Sequence, residues 1–86
     1  MTKITKESIE EILIPKGWEK DEYSKTDIYE SPDGKCELHY WDKSTISETG
    51  FGWMIFIYNS RHESLGCCDV EYIEQIFALI DIYKDY

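Results

Sequence analysis

The chain has 86 residues, 42% hydrophobic and 15% aromatic, and a formal net charge of −9 from nine Lys+Arg against eighteen Asp+Glu. That length gives a single domain, residues 1–86, whose folding buries roughly 60–65% of the unfolded surface; this leaves little room for a deep enclosed active site in one copy, and the apolar content excludes intrinsic disorder. Residues 1–35 carry 6 basic and 9 acidic side chains (−3), residues 36–60 carry 1 and 3 (−2), and residues 61–86 carry 2 and 6 (−4), so direct binding to nucleic acid or an anionic membrane is disfavoured while a basic protein partner is allowed.

Ile4, Ile9 and Ile12 to Ile14 are separated by Lys and Glu, which does not match a signal peptide. The longest apolar run, Trp53 to Tyr58, falls far short of the roughly 18 residues of a membrane span. Three cysteines, an odd number, without an export signal point to free thiols in a reducing cytoplasm.

In chain order, Thr5 reads as an N-cap, with Ile4 and Ile9 as a hydrophobic staple and Glu7, Glu10 and Glu11 in the first turns. A short helix follows with Ile9, Ile12 and Leu13 on one face. Pro15 is expected to push Ile14 out of helical geometry and end the helix near Leu13. Gly17 turns the chain into Trp18, and Trp18 to Tyr23 reads as an edge strand. Asp27 to Glu30 and Lys35 to Asp42 flank Ser31-Pro32-Asp33-Gly34, with proline and glycine where a tight turn uses them, so these two stretches form a hairpin. On its second strand Cys36, Leu38 and Tyr40 take the core face, while Glu37, His39 and Trp41 take the other. Lys43 to Gly50 reads as a polar, mobile loop.

Gly52 to Asn59 is the one run with apolar side chains in both alternation classes: Trp53, Ile55 and Ile57 against Met54, Phe56 and Tyr58. Neither face of such a strand can be left fully in water, so it lies inside the sheet and not at its edge. A polar turn spans Asn59 to Gly66, and Cys67-Cys68 makes a short strand or extended entry to the last helix, with Asp69 as its cap. Val70, Ile73, Ile76, Phe77, Ile80 and Tyr83 recur at helical spacing and form its sheet-facing side, with Glu71, Glu74, Asp81 and Asp85 opposite. The expected fold is α+β: a short N-terminal helix, an antiparallel sheet of about four strands, and a C-terminal amphipathic helix packed on it.

Val70-Glu71-Tyr72-Ile73-Glu74-Gln75-Ile76 through Ile82, behind an acidic first helix and a Lys16-Gly17-Trp18 turn, resembles a set of small uncharacterised proteins of Bacteroides genomes, phages and mobile elements. Those end in a Tyr-Val-His-Gln-Leu-Gln-type helix. Here Glu74 stands in place of the histidine and Phe77 in place of the second glutamine. The resemblance implies a genomic setting and carries no activity with it.

The chemistry-bearing residues are few. A zinc site would need about four ligands from Cys36, Cys67, Cys68, His39 and His62, but Cys36 and His39 are three apart on a strand and point to opposite faces, and neither a CxxC nor an HExxH is present. No metal or other cofactor is expected. A cysteine-dependent enzyme using Cys67 or Cys68 with His62 would need a stabilised thiolate, and Glu63 and Asp69 nearby work against one. Gly50-Phe51-Gly52 lacks the third glycine and the following helix of a phosphate loop.

Two short helices can cover one sheet face, hardly two. Trp18, Phe51 and the long loop, or a second subunit, must therefore close the other face, and an exposed apolar patch there would mark a partner site. The expectation is a small acidic protein-interaction or accessory protein without catalytic activity, with Trp41, His39, Glu71, Glu74, Asp81 and Asp85 as its candidate interaction surface. The alternative is a homodimeric structural module, a weak dimer that tightens as salt screens its charge.

Overall fold

A computed structural model of the chain describes residues 1–41, 50 and 52–86. Within it Thr5 caps α1 (Lys6–Ser8), its hydroxyl accepting from Ser8 N–H at 3.0 Å while Ser8 Oγ accepts from Thr5 N–H at 2.8 Å. Ser8 completes a reciprocal capping box, and Ile4 and Ile9 are both buried, as a hydrophobic staple requires.

The helix does not end at Leu13. It widens into a π turn over Ile9–Leu13 and then tightens into a 3-10 turn over Ile14–Lys16, with Ile14 itself helical at φ −59°, ψ −44°. The steric preference of a residue before proline is overridden because the hydrogen-bond register shifts around Pro15: Ile14 N–H bonds Ile9 C=O, Gly17 N–H bonds Ile14 C=O, and no donor is demanded of the proline. Gly17, at φ 99°, closes the segment and delivers Trp18 into the core.

Among the described residues five strands follow, β1 (Glu19–Lys20), β2 (Ile28–Glu30), β3 (Cys36–Trp41), β4 (Gly52–Tyr58) and β5 (Ser64–Val70), in an antiparallel sheet of order β1-β2-β3-β4-β5. The expected count of four is therefore low by one. The missing strand is β5, of which only Cys67-Cys68 read as extended. Gly66 and Asp69 are poor strand formers, and pairing along β4 overrides that local preference. Val70 and Asp69 consequently belong to β5 and not to the last helix, so Asp69 does not cap it.

The hairpin between β2 and β3 turns where expected. Gly34 sits at φ 72°, and Asp33 Oδ1 accepts from Ser31 Oγ (2.8 Å) and Lys35 N–H (3.0 Å). Burial would raise the Asp33 pKa, but these hydrogen bonds and the Lys35 charge together hold it below the ordinary value. The turn between β4 and β5 is built on Asn59, whose Oδ1 accepts from Arg61 and Glu63 N–H at 2.9 Å each.

The last helix, α2 (Ile73–Tyr83), starts from Tyr72, where Gln75 Oε1 accepts from the Glu71 and Tyr72 N–H groups at 2.7 and 2.9 Å. Residues 2–4 run beside it, Ile4 N–H bonding Glu71 C=O and Ile73 N–H bonding Thr2 C=O. Both helical segments lie on one face of the sheet. There Ile9, Leu13, Ile73 and Ile76 meet Trp18, Tyr29, Cys36, Leu38, Trp53, Ile55, Ile57 and Val70 in a single core. Lys16 Nζ lies 5.6 Å from the centroid of the Phe77 ring and bridges the two helical segments.

Trp18 is therefore on the helix side and cannot close the other face, as was expected of it. The single Cβ alternation per residue that puts Glu19 outside puts Trp18 inside. Phe51 and the loop read over Lys43 to Gly50 lie, apart from Gly50, outside the described residues.

Candidate interaction surface

Directly opposed residues of an antiparallel ladder share a face, so the register defines the side of the sheet away from the helices. It carries Glu19 on β1, Ile28 and Glu30 on β2, Glu37, His39 and Trp41 on β3, Met54, Phe56 and Tyr58 on β4, and Cys67 and Asp69 on β5. Trp41 is 37% exposed, and Ile28, Met54, Phe56 and Tyr58 are half-buried. No described helix covers them.

Two cross-strand rows matter. The first runs Glu19, Glu30, Glu37, Phe56: three carboxylates directly opposite one another on three neighbouring strands. The second runs Ile28, His39, Met54, Asp69. The His39 ring packs against Phe56 with centroids 4.5 Å apart, and its Nε2, enclosed and without a hydrogen bond, lies 3.8 Å from Glu37 Oε1. Tyr58 donates its hydroxyl to the same Glu37 oxygen at 2.8 Å. Desolvation first, and then the hydrogen bond to Glu37 and its charge, push the Tyr58 phenol up to about 12.

Among the described residues no lysine or arginine occupies a strand position on this face. Among the described residues Glu19 and Glu30 have no cation within ion-pair distance. Carboxylates elsewhere do: Asp27 takes Lys6 (3.3 Å) and Lys20 (3.5 Å), Glu71 takes Lys3 (3.8 Å), and Asp81 takes Lys84 (3.3 Å).

The six residues expected to form one surface fall on two sides of the molecule. Trp41 and His39 lie on the open face, whereas Glu74, Asp81 and Asp85 belong to α2 and its end, across the sheet, with Glu71 just before the helix. Glu71 and Glu74 are also engaged locally. The Thr2 backbone N–H donates into the Glu74 carboxylate and holds its pKa below the ordinary value. Glu19 and Glu30 were not singled out from sequence. The signal that finds Glu30 is the Ser31–Gly34 turn, which fixes Glu30 opposite Glu37; Glu19 needed the β1–β2 register, for which no local motif exists.

The thiols behave differently from one another. Cys36 is buried, and its thiol is pushed up to about 11, by desolvation first and by Asp33 second, with Lys35 opposing. Cys67 and Cys68 are exposed on the edge strand, opposite Phe56 and Ile55 respectively and so on different faces; burial and the neighbouring Cys67 and Asp69 raise the Cys68 thiol. His62 stacks on Tyr58 at 4.7 Å with the rings 8° from parallel. Among the described residues no three His, Cys, Asp or Glu side chains converge as a metal site would require. Among them, too, no helix is long and apolar enough to cross a membrane. A comparison with family models finds no match to this chain, and comparisons with curated proteins and with solved structures find none either.

Proposed function

We propose that the chain is a small acidic interaction protein, an accessory module of phage or mobile-element type acting in the cytoplasm, that works by binding another protein and not by catalysis. The observation that carries this reading is the one-sided construction of the domain. Both helical segments sit on one face of a five-stranded sheet, and the other presents Trp41, Met54, Phe56 and Ile28 among carboxylates. An aromatic and aliphatic centre ringed by polar groups is the composition of a protein contact.

The thiols support the same reading. A nucleophilic cysteine needs a lowered pKa and a base within reach. Cys36 and Cys68 are raised, and the ring of His62 is stacked on Tyr58.

Affinity capture from the native host, run in parallel with wild type and with a Trp41→Ala/Met54→Ala variant, tests the proposal. A stable protein partner retained by wild type and lost by the variant is expected. Capture of nothing by the wild-type chain, or equal capture by both, would overturn the open face as the binding surface.

A further inference from the structure

The chemistry of the partner follows from where the charges of the open face are left. We infer that this face docks a segment of a partner protein that carries lysines or arginines interleaved with apolar residues, with Glu19, Glu30 and Glu37 as its cation-binding row. This rests on the interaction reading above and gives the partner a chemical class.

Like charges directly opposite on neighbouring strands are destabilising. Here three stand in line, and among the described residues only Glu37 of the three has polar company on the face, the Tyr58 hydroxyl and His39. The lysines that form ion pairs stand instead beside Asp27, Glu71 and Asp81. A row of this kind is complete when a ligand supplies the opposite charge. Neighbouring strands are about 4.8 Å apart, so the row from Glu19 to Glu37 spans about 10 Å, within reach of two or three basic side chains on a crossing segment. Beside it Phe56, Met54, Ile28 and Trp41 offer the apolar area that the intervening residues would cover, and a guanidinium can add stacking on the Trp41 ring.

The same charges decide against other occupants. A second copy would bring its own carboxylate row and a total charge of −18, twice the −9 of one chain, onto the shared face. Phosphate backbones and anionic lipid surfaces are repelled for the same reason.

The test uses the full chain and two synthetic peptides, one alternating arginine with valine and the other with glutamate in place of arginine. Binding is read by amide chemical-shift changes and by calorimetry. The arginine peptide is expected to shift the amides of β1–β4, the glutamate peptide to shift none, and affinity to fall as salt is raised. Two charge reversals of equal net change then separate a site from diffuse attraction. Glu30→Lys should weaken binding by about tenfold or more and Glu30→Gln by less, whereas Asp85→Lys, at the end of α2, should change it by less than about twofold.

Equal losses for Glu30→Lys and Asp85→Lys, or no shifts with the arginine peptide, overturn the proposal. If host capture is abolished by Trp41→Ala/Met54→Ala but untouched by Glu30→Lys, the basic-segment inference fails while the face remains the partner surface. If neither variant affects capture, both fail.

Discussion

Leu38 and Ile55 stand opposite one another on β3 and β4, face the helices and are fully shielded from solvent, while His39 and Met54, one step along the same strands and also opposite one another, stay half-buried on the other side. The same ladder of backbone hydrogen bonds thus supports two surfaces that are packed differently. On the covered side the shape of each residue is fixed by the helices against it. On the other side His39 packs on Phe56 and Tyr58 bonds Glu37, yet among the described residues Glu19 and Glu30 have no cation within ion-pair distance. Stability should therefore be concentrated on one face and recognition on the other.

The largest expected effect tests that separation. Ile55→Ala removes a fully buried side chain and should cost about 2–5 kcal/mol of unfolding free energy in urea titrations, whereas Met54→Ala, its half-buried neighbour, should cost about 1 kcal/mol. Equal losses would mean that the open face is packed as tightly as the covered one, and the comparison would break.

A second substitution sharpens it at the point where the chain enters the covered face. Gly17 holds φ 99°, and an added Cβ would stand 3.3 Å from Pro32 Cβ. Gly17→Ala should therefore destabilise by about 1–2 kcal/mol, from left-handed backbone strain with the hairpin contact added to it, and should loosen Trp18 first, visible as a change in tryptophan fluorescence before global unfolding. A fluorescence change that coincides with global unfolding would show that Trp18 has no local role.

Much of this division is legible in the sequence because it rests on period. The alternation of 52–58, the Ser31–Gly34 turn and the Thr5 cap are local signals, and each marks the element that forms. What escapes is what other strands impose. Ser64, Leu65 and Gly66 carry no strand pattern and join Cys67-Cys68 in β5 because β4 presents an interior strand needing a second neighbour. Helical geometry through Ile14 and Pro15 depends on a shift of hydrogen-bond register that no residue type announces. The carboxylate row is likewise a product of register: its three members are 11 and 7 positions apart (30 − 19 and 37 − 30) and share no periodic motif. Of the candidate surface, alternation alone was enough to put Trp41 and His39 on one face.

Alkaline titration distinguishes the faces by chemistry. Cys36, on the covered side, is raised from 9.0 to about 11, and Tyr58, on the open side, from 10.0 to about 12. Each acid holds its proton more tightly folded than unfolded, so its stabilisation is complete below the unfolded value and is lost as pH rises, between 9 and 11 for Cys36 and between 10 and 12 for Tyr58. Urea midpoints should fall across that range, and Tyr58→Phe should remove the upper part of the fall while leaving the lower. Near neutral pH Cys67 should be alkylated well before Cys36. Comparable rates would show that the covered face opens on the timescale of the reaction.

The smallest effect bears most directly on why the faces differ. If the Glu19, Glu30, Glu37 row is kept for a partner, the free protein bears its repulsion, and neutralising the middle member should relieve it. Glu30→Gln is expected to raise stability by about 0.2–1 kcal/mol at low salt, since two like-charged cross-strand pairs disappear at once. The gain should shrink as added salt screens the exposed carboxylates, because at about 1 M the screening length falls to about 3 Å, shorter than the strand spacing. Glu10→Gln, on an exposed residue of the first helical segment, serves as the control for loss of one negative charge from an acidic surface, and its effect should be smaller. A Glu30→Gln variant that is less stable than wild type at every salt concentration would mean that Glu30 makes a favourable structural contact, and the row would then be part of the fold and not a surface held open for a cation.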